Sequence, residues 1–282
     1  MRTFLTLVCL LLPLQAHAGE LKLANWDLSW LSTRQDQLPG NVRAKRPEDI
    51  ATLRRYAQQL DADVVAFTEV DGPEIAAQVF PAETYAIHIT NDDVVLRLGF
   101  AVRRTIAFTA NPDVDGLDLY KNARYHLRRG ADITLNLPDG HLRLLAVHLK
   151  AGCREGPVIG SAEPACQTLA RQLPFLQSWI ADREREGAPY VMMGDFSRLL
   201  TPADDVLKAL QTTAPLTVAE TGQNSPCWGG APFLDHILAG GPAREWLKPE
   251  TLRVLVYKET EAAMKPRLSN RCPVSVRLKW AG

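Results

Sequence analysis

Polar residues able to bind a hard cation or move a proton stand at the ends of apolar runs in this chain. The runs finishing in Ala24-Asn25, Thr68-Glu69, Val147-His148 and Gly194-Asp195 have strand length and strand composition, and each stops at an amide, an acid or an imidazole. Phe233-Leu234-Asp235-His236-Ile237-Leu238 carries another acid inside such a run. Oxygen donors suit a hard divalent cation, and carboxylate and imidazole groups suit proton transfer. Gly194 lets the backbone turn sharply, so Asp195 stands where a sheet ends, the position in which open α/β sheets hold ligands. Taken singly, each residue is more readily structural: His148 as a satisfied core histidine, Glu69 as a helix cap, Asp235 as half of an ion pair. Five such groups at matching positions favour a site.

The elements that must position them can be read from periodicity. Residues 21–26 alternate as a strand. Pro47 opens a helix with Glu48 and Asp49 in its first turn, where acids complement the macrodipole, and Ile50, Leu53, Ala57 and Leu60 form its apolar face. Residues 63–69 read as a buried strand, and Asp71-Gly72-Pro73 turns the chain into a short helix near 74–79. Strands are expected at 85–90, 94–102 and 106–109, and at 131–137 and 142–149 around the hairpin turn Pro138-Asp139-Gly140. A helix over 165–186 presents Leu169, Leu173, Leu176 and Ile180 and is expected to kink at Pro174. After the strand at 189–195 come a helix over 203–210 and strands at 233–238, 251–257 and 274–278. Strand to Asn25, helix, strand to Glu69 is thus matched by strand to His148, helix, strand to Asp195. If these two βαβ-like units face each other, the four groups converge.

Composition is that of an ordinary globular protein: 282 residues, 46% hydrophobic and 23% charged. Lys plus Arg and Asp plus Glu are 32 each, so any recognition of phosphate must be local rather than a bulk electrostatic effect. Residues 1–18 read as a signal peptide. Arg2 is followed by a short apolar run from Leu5 to Leu14, and Ala16-His17-Ala18 precedes a cleavage point before Gly19. The run is shorter than the roughly 20 residues of a membrane span, and no later segment is long and apolar enough for one. Cys9 lies within that run without the surroundings of a lipoprotein site. Residues 19–282 are expected to form one domain, exported to the periplasm or secreted, and monomeric. Export leaves Cys153, Cys166, Cys227 and Cys272 in an oxidising compartment, where two disulfides are expected. Of three possible pairings, Cys153–Cys166 and Cys227–Cys272 are favoured. The rival, zinc, lacks a C-x-x-C or Cys/His spacing.

The pieces Asn25-Trp26, Thr68-Glu69, Val147-His148-Leu149-Lys150, Gly194-Asp195-Phe196, Leu234-Asp235-His236-Ile237 and Cys272-Pro273-Val274 resemble, in that order, the endonuclease/exonuclease/phosphatase superfamily. The resemblance spans nearly the whole chain after residue 18. It implies a four-layer α/β/β/α sandwich of two mixed β-sheets (DNase I-like), an Mg²⁺ or Mn²⁺ ion, and hydrolysis of a phosphate ester, nucleic acid among the candidates. It further implies Glu69 as a metal ligand with Asn25 close by, Asp195 as the group that orients or deprotonates water, and His148 at the phosphate or in proton transfer. Arg124, Arg128 and Lys150 become candidate phosphate contacts.

Two departures matter. Gly194-Asp195-Phe196 is followed by Ser197 where the family has Asn, and a hydroxyl lacks the reach and the two donors of an amide. The family's Ser-Asp-His before the last strand is here Ser269-Asn270-Arg271. Arginine stays protonated and cannot act as a general base, so Arg271 is expected to form a salt bridge with Asp235 instead. Two readings follow: a slower metal-dependent phosphodiesterase with Arg271 and Asn270 at the phosphate, or a catalytically impaired homologue that binds a phosphorylated ligand or partner.

Overall fold

The computed structural model describes residues 19–280 except 125 and 139. The expected signal peptide and the central Asp139 of the expected hairpin turn lie outside the described residues.

The chain runs β1 (Gly19–Leu31), α1 (Pro47–Leu60), β2 (Val64–Val70), α2 (Pro73–Val79), β3 (Tyr85–Ile89), β4 (Arg97–Arg103), β5 (Ala107–Ala110), β6 (Ala131–Leu137) and β7 (Gly140–His148). It continues α3 (Pro164–Glu186), β8 (Tyr190–Asp195), α4 (Asp205–Gln211), β9 (Thr217–Val218), β10 (Asn224–Ser225), β11 (Ala231–Pro232), β12 (Asp235–Gly240), α5 (Ala243–Trp246), β13 (Leu247–Val254) and β14 (Val274–Trp280). Two six-stranded mixed sheets form, in the orders β13-β14-β1-β2-β4-β3 and β5-β6-β7-β8-β12-β9. Each is built on one parallel pair: β1 beside β2, crossed over by α1, and β7 beside β8, crossed over by α3. Antiparallel strands flank both pairs, β14 and β4 in one sheet and β6 and β12 in the other. The twofold pattern of βαβ units legible in the sequence is therefore the framework of the fold.

Three cores make the four layers. Between the sheets Leu23, Val64, Ala66 and Val276 meet Leu144, Ala146, Met193 and Ile237. Trp26, Val65 and Phe67 pack on Leu53, Tyr56 and Ala57 of α1. Leu145, Val147 and Met192 pack on Leu169, Leu173 and Ile180 of α3. Alternating side chains of the central strands thus serve different cores, which is why these strands read as nearly continuous apolar runs. α3 continues through Pro174 without a break and ends at Gly187 in the left-handed conformation.

Element ends differ from the periodicity in a few places. β4 starts at Arg97, because Val95 and Leu96 pack in a side cluster with Leu38 instead of joining the sheet. Phe233 and Leu234 precede β12. β13 ends at Val254, leaving Tyr257 outside the sheet, where its hydroxyl meets Trp26 and Arg271. Both expected disulfides form, with Cα–Cα distances of 5.0 Å for Cys153–Cys166 and 5.6 Å for Cys227–Cys272. No helix among the described residues is long and apolar enough to cross a membrane.

Gly194, two strands deep in the second sheet, has φ +140, and a Cβ there would lie 2.0 Å from the Val147 carbonyl oxygen. Neither the backbone of β7 nor that conformation tolerates a side chain. Gly194→Ala is expected to lower unfolding free energy by about 3 kcal/mol, the range of strain and overpacking in a core, measured by urea titration at fixed pH.

Candidate active site

Strand parity explains how the polar groups meet. On β1, Leu21 and Leu23 face the opposite sheet, and Asn25 and Asp27 continue that face. On β7 the series Leu142, Leu144, Ala146 leads to His148, and on β8 Val191 and Met193 lead to Asp195. On β12 Ile237 and Ala239 lead back to Asp235. His148 and Asp235 both pair with Asp195 across neighbouring strands. All these groups therefore leave the inter-sheet core at one end of the sandwich.

Glu69 is the exception. Parity on β2 would turn it toward α1 with Val65 and Phe67. Its backbone has φ +61, and the pairing of β2 shifts register on both sides, between Asp27 and Leu31 on β1 and between Phe67 and Val70 on β2. This bulge re-aims Glu69 toward His148, whose Nε2 lies 3.8 Å from Glu69 Oε1. The Trp30 amide donates to Glu69 Oε2 at 3.0 Å.

Two overlapping sets of ligand atoms result: Asp27, Glu69 and His148, and Asp27, Asp195 and Asp235, each within 4.8 Å of one another. Asp27 belongs to both and is the residue that sequence reasoning missed. It stands two residues beyond Asn25 on the same strand face, but only because β1 continues past the expected end at Trp26 through its pairing with β2. One Asp27 oxygen accepts from the Ser29 amide at 2.7 Å and the other from the Thr68 hydroxyl at 3.0 Å. Asn25 is buried, and neither atom of its amide has a hydrogen-bond partner.

Burial and mutual repulsion dominate the electrostatics. Burial, then Asp27 and Asp195, pushes the Glu69 carboxyl well above the usual range. Burial and Asp195 do the same to Asp235, and burial with Asp27 raises Asp195 to about 6. His148 is held well below its ordinary value by burial and by Arg128 and Arg271. It is therefore neutral, and its distances of 3.8 Å to Glu69 and 3.6 Å to Asp195 are contacts of a neutral ring rather than ion pairs.

The basic candidates separate. Arg128 is buried, donates to the carbonyls of His126 and His148 at 3.4 Å each, and keeps Nε unpartnered. Its charge acts on Glu69 and Asp195. Arg271 Nε stands 3.2 Å from Asp235 Oδ2, as expected for the salt bridge, although the N–H is not aligned as a hydrogen bond. Arg124 is exposed and contacts the Asp36 carbonyl, and the Lys150 ammonium turns back to the Ala151 carbonyl, so neither joins the cluster. Asn270 is exposed, with its Oδ1 accepting from the Ser29 hydroxyl at 2.6 Å. Ser197 is buried at φ +52, and its amide donates to Asp195 Oδ1.

A second ring of contacts holds Arg271. The Ser269 hydroxyl donates to the Asp27 carbonyl at 2.6 Å and accepts from the Arg271 amide at 2.9 Å. Trp26 Nε1–H donates to the Tyr257 hydroxyl, which donates to the Arg271 carbonyl. The buried Lys45 ammonium, lowered to about 8 by burial, donates to the carbonyls of Pro266 and Leu268. Six described non-glycine residues have positive φ. Glu69 and Ser197 belong to the cluster, Ser29 and Trp30 donate to its carboxylates, and Trp228 donates to the Ser269 carbonyl, while Asp61 closes α1. Backbone strain of this kind concentrates where side-chain placement matters more than local stability.

The chain is similar to the human nocturnin catalytic domain with bound sulfate anion, at 14% identity over 95% of this chain and 98% of that one, with a TM-score of 0.60. It is similar to the Neisseria 3′ phosphatase NExo bound to product DNA hairpin, at 14% identity, 92% and 100% coverage and a TM-score of 0.58. An endonuclease/exonuclease/phosphatase family protein from Bacteroides thetaiotaomicron matches at 13% identity, 93% and 98% coverage and a TM-score of 0.59. At such identities the likeness is one of fold: the chain has the DNase I-like α/β fold of the endonuclease/exonuclease/phosphatase proteins. No protein-family model and no curated protein matches the sequence.

The raised Asp195 has a consequence for stability. In metal-free protein the folded state holds a proton between about pH 4 and 6 that an unfolded aspartate, titrating near 3.9, has released. The stability this group contributes is present below pH 4 and lost as pH rises through 6, on the order of 3 kcal/mol for a shift of this size. Urea unfolding in excess chelator should show that decline, and Asp195→Asn should flatten it.

Proposed function

We propose that the protein is an exported, divalent-metal-dependent phosphoesterase acting on phosphodiesters, nucleic acid among them, or phosphomonoesters. The observation that carries this reading is the convergence of Asp27, Glu69, His148, Asp195 and Asp235 at the shared end of two sheets. Export to the periplasm or medium is supported by the two disulfides and by the pattern of residues 1–18. The residues suit Mg²⁺ or Mn²⁺. Asp27 and Glu69 offer hard oxygens, and Asn25 Oδ1 is buried with no partner of its own. Glu69 and Asp235, whose proton affinity is raised by burial and by Asp27 and Asp195, are poised for a cation.

A bound divalent ion supplies positive charge against the phosphoryl oxygens. The chain's own groups do the rest. Asp195, ionised at neutral pH, orients water and takes its proton as the water oxygen bonds to phosphorus. The ester P–O bond breaks, and the departing oxygen takes a proton from solvent. Neutral His148 donates a hydrogen bond to a phosphoryl oxygen, and Arg128 and Arg271 present fixed charge to the negative transition state. Arg271 cannot shuttle a proton, so the reaction is slow.

The second reading, an impaired homologue that binds a phosphorylated ligand or partner, rests on the Arg271–Asp235 pair, in which a fixed cation faces the carboxylate at 3.2 Å. Turnover of bis-p-nitrophenyl phosphate with and without Mg²⁺ decides between them. Metal-dependent turnover is expected, and complete inactivity on DNA, RNA, phospholipid and activated esters favours the binding role. Asp27→Ala and Glu69→Ala should each abolish that turnover and weaken Mg²⁺ binding in calorimetry. Equal Mg²⁺ affinity in wild type and variant would remove that residue from the ligand set.

Replacing Asn270→Asp together with Arg271→His should raise kcat at least about tenfold, the low end of what a positioned proton-transfer group contributes. Adding Ser197→Asn should raise it further and more than additively. A fall in kcat for the double variant would make Arg271 the working group.

A further inference from the structure

Beside the carboxylate cluster lies a pocket of about 220 Å³ whose wall includes Asp235 and Arg271. Arg154, Lys265 and Trp228 complete the part of it that bears on ligand chemistry. Asp235 is the only acid on this wall among the described residues, and it faces Arg271. Arg154 and Lys265 are exposed, and neither side chain has a partner among the described residues. The chain as a whole is neutral, so two uncompensated cations and a third shared with one carboxylate make a local excess of positive charge.

The walls are also fixed in place. Arg154 follows Cys153 of the first disulfide, and its carbonyl accepts from the Leu199 amide at 2.9 Å. The Cys153 carbonyl accepts from the buried Arg198 at 2.9 Å. The second disulfide joins Cys227, next to Trp228, to Cys272, next to Arg271. Trp228 holds φ +51, donates to the Ser269 carbonyl at 2.8 Å and lies 5.4 Å from the Tyr257 ring. Both cross-links thus flank residues of one pocket, and a preorganised anion site loses less freedom on binding than a mobile one.

We propose that this pocket is a second-phosphate subsite: Arg154 and Lys265 hold a phosphate adjacent to the one that reaches Asp235 and Arg271. The substrate is then a phosphate ester bearing a further phosphate beside the scissile one. The inference rests on the phosphoesterase reading, and it narrows the substrate to that class. The neighbouring phosphate can belong to a diphosphate group or to the next phosphodiester of a polynucleotide.

The test is equilibrium binding by calorimetry with full-length folded protein in excess chelator, which needs no turnover. Three probes are compared: inorganic phosphate, inorganic pyrophosphate and a 5′-phosphorylated dinucleotide. Wild type should bind at least one of the two larger probes about tenfold or more tightly than inorganic phosphate. A preference for pyrophosphate assigns a diphosphate ester, and a preference for the dinucleotide assigns a polynucleotide. Arg154→Ala with Lys265→Ala, both at exposed positions, should abolish the preference. Equal affinity for all three probes, or a preference that survives the double variant, overturns the subsite. Turnover of bis-p-nitrophenyl phosphate, which carries one phosphate, separately decides the phosphoesterase reading.

Discussion

Repulsion among buried carboxylates is the constraint around which this structure is arranged. Buried Asp27, Asp195 and Asp235 and half-buried Glu69 leave the inter-sheet core at one end, where burial and the charges of Asp27 and Asp195 raise the proton affinity of Glu69 and Asp235, and burial with Asp27 raises that of Asp195. Such a cluster is costly to the metal-free fold, and the surrounding structure is rigid enough to hold it. The two parallel strand pairs supply that rigidity. Strands with both faces in hydrophobic cores have no freedom to slip, because a shift of one residue would exchange every buried side chain between cores.

Local strain is spent on aiming. The left-handed Glu69 brings a side chain of the wrong parity into the site, and left-handed Ser197 places its amide against Asp195. Ser29 and Trp30 are bent in the same way and present their amides to Asp27 and Glu69. Donors to carboxylate oxygens offset part of the repulsion while leaving the remaining lone pairs directed into the cleft.

Arg271, at a position where the family resemblance leads one to expect a histidine, puts a different kind of group beside Asp235. A guanidinium remains charged at every pH at which the protein folds, so it gives a constant field in place of a titrating one. Burial, then Arg128, and to a lesser extent Arg271 depress His148, leaving the ring neutral beside two carboxylates. Asn270, in turn, uses its oxygen on Ser29 and takes no part in orienting Arg271, a task that falls to Ser269, Tyr257 and the Cys227–Cys272 bond.

The sequence by itself determined the central strands, the two long helices, the matched βαβ units and the five polar residues at strand ends. Each of these is a local pattern: apolar period, capping residues, or an acid closing a strand. Two disulfides were also expected from four cysteines in an exported chain, but which of three pairings forms was left open by spacing and is seen only in the fold. Tertiary structure alone decided the rest. Asp27 entered the site because β1 runs past Trp26 to Leu31, an extension secured by pairing with β2 rather than by local propensity. Arg128, not Arg124, faced the cluster because burial depends on where the segment packs, and both residues lie in one basic stretch. Glu69 turned inward through a bulge that strand alternation cannot announce, because a positive φ in an acid is imposed by neighbouring strands and never favoured by the residue itself.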